Sequence, residues 1–278
     1  ALGVRVAALE KKSDNVKITG QMRYYYNAWS MPKNKLIDST GTNIGGKGHL
    51  NRLRSRIFFN GKVNDNWNYQ GMIQNIQVFN DNDEEGDSKF RLANINGRLG
   101  GMKVTAGRYF EWRGDGNIYD ECFDGINVSY GDKVRLNAYY GRPTQGYNMQ
   151  YYYEGKKYDR AWGVSAETGL GKKVTLSLGY DRFMNPEGAI AGLNDKEEDN
   201  GIFSVGLNAN LANKLSFNAM YLKSSAEFTD PVTLREADDD GFVLGLNYGG
   251  ANYNKPGSWG LEGKYYNVGA GTFIAHTM

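Results

Sequence analysis

Along this chain the spacing of hydrophobic residues changes once. Up to Asn15 the apolar positions Leu2, Val6 and Leu9 stand four and three apart, with Val16 seven beyond Leu9. That spacing is a heptad seam. It predicts the end of a longer coiled-coil helix over residues 1–15, because a helix this short is marginal by itself. From Val16 onward the period is two. Val16, Ile18, Gly20, Met22, Tyr24 and Tyr26 share one face of an extended strand, and Lys17, Thr19, Gln21, Arg23, Tyr25 and Asn27 share the other. The split recurs in Val134, Leu136, Ala138, Tyr140 against Lys133, Arg135, Asn137, Tyr139, and in Val174, Leu176, Leu178, Tyr180 against Thr175, Ser177, Gly179, Asp181. About 13 such strands are expected, each near the roughly 9–11 residues that a tilted membrane strand needs.

The connections alternate in length. Short polar turns are predicted near Asn64–Asn66, Gly100–Gly101, Gly131–Asp132, Gly171–Lys172 and Ala212–Asn213. Long polar stretches lie between them: Ser30–Leu50, Asn80–Ser88, Arg113–Asp120, Pro143–Asp159, Asn185–Asn200 and Ser224–Asp240. Similar strand openings follow four of the turns, at Lys103–Val104, Lys133–Val134, Lys173–Val174 and Lys214–Leu215, recurring every 30 to 41 residues. The repeating unit is a hairpin. Short turns at one end and long loops at the other are the habit of outer-membrane barrels, whereas a soluble sandwich scatters its loop lengths over both ends.

Composition sharpens this picture. The 278 residues hold 37 Gly, 20 Tyr, 12 Phe and 5 Trp against 5 Pro and 1 Cys. Gly is thus nearly double its usual share of about 7%. Mean hydropathy is −0.62, and no run approaches the roughly 18 consecutive apolar residues of a membrane-spanning helix. A barrel escapes that test because its apolar residues are spread one face at a time. Lipid offers a backbone no hydrogen-bond partner, so strands span it only in a closed sheet, apolar outside and polar within. Tyr24, Tyr26, Trp67, Tyr130, Tyr140, Tyr180 and Tyr248 fit interfacial girdles. The expected fold class is therefore all-β, a transmembrane antiparallel β-barrel over 16–278 preceded by the coiled-coil end.

Charge bears on partners. With 33 Lys+Arg against 31 Asp+Glu, the chain lacks the one-sided basic surface of a nucleic-acid binder. Its lone Cys122 forms no internal bridge or Cys-based zinc cluster, and His49 and His276 are far apart. No metal or cofactor is expected. The run Asn80–Asp87 fails as a calcium loop, because Leu92 occupies the position where such a loop needs a bidentate Glu. No nucleophile, base and orienter come together at a telling spacing, so an enzyme is not expected.

The residues expected to set function are charged. Arg52, Arg54 and Arg56 share a face opposite Leu53, Ile57 and Phe59. If the apolar face meets lipid, the Arg column lines the lumen, with Lys17, Arg23 and Arg135 adding positive charge from other strands. Like charges at this spacing repel and need water or counter-charges. Candidate counter-charges are Asp115, Asp120, Glu121 and Asp124 in the third long connection and its continuation to Gly125. Folded inward, that loop would constrict the lumen and set a transverse field across it. The alternatives are a column that pairs with lumen carboxylates and a loop that stays outside.

Together, the helical leader, the opening strand Val16-Lys-Ile-Thr-Gly-Gln-Met-Arg-Tyr-Tyr-Tyr26, the Arg-bearing second strand and Ala106-Gly107-Arg108 resemble a bacterial general porin. More narrowly, the seam Leu2, Val6, Leu9 running into Val16-Lys-Ile-Thr-Gly looks like the OmpM type. That resemblance implies an S-layer-homology anchor on peptidoglycan or its polymers, a trimeric coiled coil across the periplasm, and a 16-strand barrel among outer-membrane lipid and lipopolysaccharide. The sequence departs from the type in two respects: it carries no S-layer-homology domain and no terminal aromatic strand. The expectation is thus a portion of a longer polypeptide lacking its last strands. The implied function is a homotrimeric outer-membrane diffusion porin for small hydrophilic solutes and ions, its N-terminal end periplasmic, that also ends an envelope tether. The alternative is mainly a tethering barrel with incidental channel activity.

Overall fold

The computed structural model describes residues 15–30, 47–79, 88–144, 158–184, 199–227, 236, 238–252, 254–269 and 271–274. These form thirteen antiparallel strands and, among the described residues, no helix. They are β1 (Val16–Ser30), β2 (Lys47–Lys62), β3 (Trp67–Val78), β4 (Ser88–Leu99), β5 (Met102–Arg113), β6 (Tyr119–Tyr130), β7 (Val134–Pro143), β8 (Arg160–Leu170), β9 (Val174–Met184), β10 (Asp199–Ala212), β11 (Leu215–Ser224), β12 (Asp240–Gly249) and β13 (Gly260–Val268). The sheet runs in chain order. The predicted seam Leu2, Val6 and Leu9 lies outside the described residues, as does most of five long connections.

Four of the five predicted short turns fall between strands, and the fifth is displaced by one residue because Ala212 still ends β10. Their local chemistry explains them. Gly100 and Gly101 both have positive φ, 54° and 85°, the pair of left-handed residues that a two-residue hairpin turn matching the strand twist requires. After β2, Asn64 Oδ1 accepts from the backbone N–H of Asn66 at 3.0 Å and of Trp67 at 3.1 Å, so an Asn side chain closes the turn. Strands run from 9 to 16 residues, the shortest at the minimal span and the longest well beyond it.

The chain forms two compact units, Ala1–Ile95 and Asn96–Met278. In the first, the β1–β2 register sets Met22 opposite Ser55 and Tyr24 opposite Leu53 on one face, and Arg23 opposite Arg54 on the other. The Met22 face is exposed, with Ile18 at 62%, Met22 at 72% and Ile57 at 48%. In the second unit the apolar face is likewise outward: Leu136, Val164, Leu178, Phe203 and Leu244 are all exposed. Large hydrophobics left in contact with solvent on strand after strand need an apolar environment.

One region reverses the expected polarity. At the end of the second unit near the long connections, the opposite face is not polar but packed with Tyr109, Tyr119, Phe123, Tyr139, Phe183 and Ile202, all buried. Phe123 meets Tyr139 edge-on at 5.2 Å and Tyr119 edge-on at 6.0 Å, the arrangement aromatic quadrupoles favour. The connection between β5 and β6 seals this cluster. Expected to be long, it is only residues 114–118, and Ile118 within it is fully buried.

Candidate functional site

In the first unit the β1–β2–β3 register builds a basic column on the face opposite Met22. Tyr25 stands opposite Arg52, Arg23 opposite Arg54, Gln21 opposite Arg56 and Lys17 opposite Asn60. Paired residues share a face, so Lys17, Arg23 and the three predicted arginines all lie together. The Tyr25 ring is the hub. Guanidinium carbons lie 4.7 Å (Arg52), 5.3 Å (Arg54) and 5.7 Å (Arg23) from its centroid. A phenol face attracts cations electrostatically, and this one is shared by three. Arg56 donates from Nε to Gln74 Oε1 at 2.7 Å. The Nε atoms of Arg52 and Arg54 are buried and meet no acceptor among the described residues, while Arg91 of β4 adds repulsion on Arg54.

In the second unit a polar network lies beneath the aromatic cluster. Arg113 Nε donates to Asp181 Oδ1 at 2.7 Å, and its Nη1 donates to Asn137 Oδ1 at 2.8 Å. Asn137 Nδ2 donates to Asn127 Oδ1 at 2.6 Å, and Asn127 Nδ2 donates to Glu111 Oε2 at 2.9 Å. The Arg113 guanidinium also sits 4.7 Å from the Tyr139 centroid. Glu111, Arg113 and Asp181 are all buried, so this is a charge set with two carboxylates around one cation. Local periodicity does not group these three residues. The available signal was that Asp181 falls on the polar face with Thr175, Ser177 and Gly179.

The remaining predicted residues separate. Arg135 pairs with Glu167, its register partner on β8. Asp115 is in the turn, with φ of 51°, and accepts from Asn208 Nδ2 at 3.1 Å, so the turn lies over the polar face of β10. Asp120, Glu121 and Asp124 belong to β6 rather than to a loop. Glu121 is buried and accepts from the Cys122 backbone N–H at 2.8 Å. Asp124 faces the other way. It accepts from Arg108 Nε and Nη2 at 2.6 and 2.7 Å, in register with the exposed Ile126 and Phe110 side of the hairpin. Among the described residues no group of three or more His, Cys, Asp or Glu converges as a metal ion needs.

No protein-family model matches the chain, and no curated protein matches it. Solved structures do. OccD3 (OpdP) of Pseudomonas aeruginosa superposes with a TM-score of 0.51 at 12% identity, over 84% of this chain and 53% of that one. A mutant of the Rh. blastica porin superposes with a TM-score of 0.51 at 13% identity, over 92% of this chain and 96% of that one. This chain thus spans about half the length of OccD3. The likeness shows the fold, an antiparallel β-barrel of the porin type.

Proposed function

We propose that this chain is a diffusion porin of a bacterial outer membrane, a channel rather than an enzyme, passing small hydrophilic solutes and ions along its polar face. The observation that carries the reading is the outward apolar face repeated on strand after strand, which has no stable place in water. The porin-type fold supports it. The basic column of Arg52, Arg54 and Arg56, with Lys17 and Arg23 beside it, makes one wall of the pathway and biases it toward anions; Arg135 adds charge on the second unit. Of the predicted acidic residues, Asp115 and Glu121 lie on the same face of the second unit as Arg135 and its partner Glu167.

We carry assembly as a homotrimer and service as the membrane end of an envelope tether in the same proposal, supported by the resemblance to the OmpM type and by the heptad seam of Leu2, Val6 and Leu9. Planar-bilayer recording of the detergent-purified chain tests the channel. Conductance in steps of three is expected; a folded preparation that never conducts overturns the reading. Removal of the segment upstream of Val16 should abolish envelope attachment and leave conductance intact, and attachment that survives the deletion overturns the tether.

A further inference from the structure

The short connection between β5 and β6 does not stand alone over the packed face of the second unit. Its own bonds make it a tight turn: the Gly116 N–H donates to Arg113 O at 3.0 Å, the Ile118 N–H donates to the same carbonyl at 3.2 Å, and Asn117 Nδ2 donates to Gly114 O at 2.8 Å. Gly114, Asp115 and Gly116 all have positive φ, from 51° to 80°. That winding turns the Asp115 carboxylate out of the packed cluster, where it stays exposed and meets Asn208 of β10. The turn also reaches β11, with Asn117 Nδ2 3.6 Å from Met220 Sδ.

A second segment, residues 269–274 after β13, closes on the same turn. The Ile274 N–H donates to Ile118 O at 2.8 Å, and both side chains belong to the buried apolar cluster. The segment is itself clamped to the sheet. The Gly269 N–H donates to Asp240 O at 2.9 Å, Thr272 Oγ1 donates to Gly269 O at 2.8 Å, and Asn200 Nδ2 of β10 donates to Gly271 O at 2.7 Å. Asn200 is oriented from its other side, because its Oδ1 accepts from Ser224 Oγ at 2.8 Å. Asn200 and Thr272 are fully buried.

The two supports of the turn differ in kind. The Asp115–Asn208 bond is exposed, so water competes for both partners. The Ile118–Ile274 bond lies in a dry cluster, and without it a buried carbonyl has lost its donor. A connection with few fixed contacts is the mobile part of a fold. We propose that Asn200 and Ile274 are positioning residues for the channel. Through the brace of residues 269–274 they fix how far the 114–118 turn projects over the polar face, and so the width of the pathway and the place of the Asp115 charge within it. The inference rests on the proposed channel reading.

The full chain in detergent is compared with Asn200→Leu, which removes the clamp at nearly constant side-chain volume, and with Ile274→Pro, which removes the N–H given to Ile118 and leaves the strand ladders intact. Hydrogen exchange at the amides of Gly116 and Ile118 should be about tenfold faster in both variants, the equivalent of one lost hydrogen bond. The conservative Ile274→Val retains the N–H and should restore the parental rate. In planar bilayers the conductance per step should rise in Asn200→Leu and Ile274→Pro while heat-modifiability is retained. Asp115→Asn should move the reversal potential toward anions in the parent and lose that shift in either released chain, which a loosened core by itself does not produce. Unchanged exchange, or faster exchange with parental conductance and an intact Asp115→Asn shift, overturns the brace. Should Asn200→Leu lose the heat-modifiable form, Ile274→Pro decides. A parent chain that folds and never conducts removes the channel reading instead, and the exchange rates still decide whether the brace holds the turn.

Discussion

Arg113 and Asp181 are 68 residues apart in sequence, yet the guanidinium Nε–H donates to the carboxylate at 2.7 Å in a site where both side chains are buried. Removing one partner strands the other. Asp181→Ala should destabilise the barrel by about 3–5 kcal/mol, read as a lower urea midpoint for the heat-modifiable form. The double change Arg113→Met with Asp181→Leu should recover much of that loss, since replacing both charges by well-packed apolar groups is often neutral. A double variant as unstable as the single one would show that the pair is held for something other than mutual neutralisation.

Gly163 makes room for this pair. A Cβ there would overlap Asp181 Oδ1 and collide with the Tyr139 ring. Gly163→Ala should therefore cost about 1–3 kcal/mol by overpacking, measured in the same denaturation, whereas Gly250→Ala, with nothing within 4 Å of the added carbon, should be close to neutral.

The arginine column governs ion preference. Changing Arg52, Arg54 and Arg56 to Ser should move the reversal potential in a KCl gradient toward that of a cation-preferring channel. An unchanged reversal potential would remove the column from the conducting path.

Tyr25 holds that column in shape. Tyr25→Leu deletes a ring shared by Arg23, Arg52 and Arg54, each contact being worth about 0.5–1 kcal/mol where exposed. The expected outcome is noisier open-channel current at unchanged mean strand content, read by single-channel recording and circular dichroism.

At the turn after β2, Lys62 Nζ donates to Asp65 Oδ1 at 2.7 Å. That hydrogen bond, with the charge behind it, holds the Asp65 carboxyl below the ordinary aspartate range. A depressed folded-state value means that any stabilisation is present above the unfolded value and is lost as pH falls through the folded one. The Asp65 titration followed by NMR should shift upward in Lys62→Gln, with no measurable change in unfolding, because Asp65 is fully exposed and Lys62 largely so.

Strand pairing was legible wherever the two faces differ in the usual sense. Val134 to Tyr140 and Val174 to Tyr180 alternate cleanly, and the Gly-rich turns mark where they stop. Strand β6 inverts the pattern, because Tyr119 and Phe123 lie on the packed side while Asp120 and Asp124 lie on the other. Acidic residues set among glycines then look like a loop, and Asp124 was grouped with a connection instead of with Arg108, its partner 16 residues back. The Arg52, Arg54, Arg56 face could be read because all three stand on one strand. The Glu111, Arg113, Asp181 set could not, since its members come from β5 and β9 and local periodicity says nothing about which hairpins meet.

The thirteen strands of the described residues follow chain order, so each pairs with the strand that precedes it. Loop closure between sequence neighbours costs little entropy, so such pairing is fast. The Arg113–Asp181 bond obeys a different clock. Its acid is delivered four strands after its base, and until β9 arrives the guanidinium waits without its carboxylate. The bond therefore ties a hairpin to a strand four places further along the sheet, a link that neighbour-to-neighbour pairing does not supply.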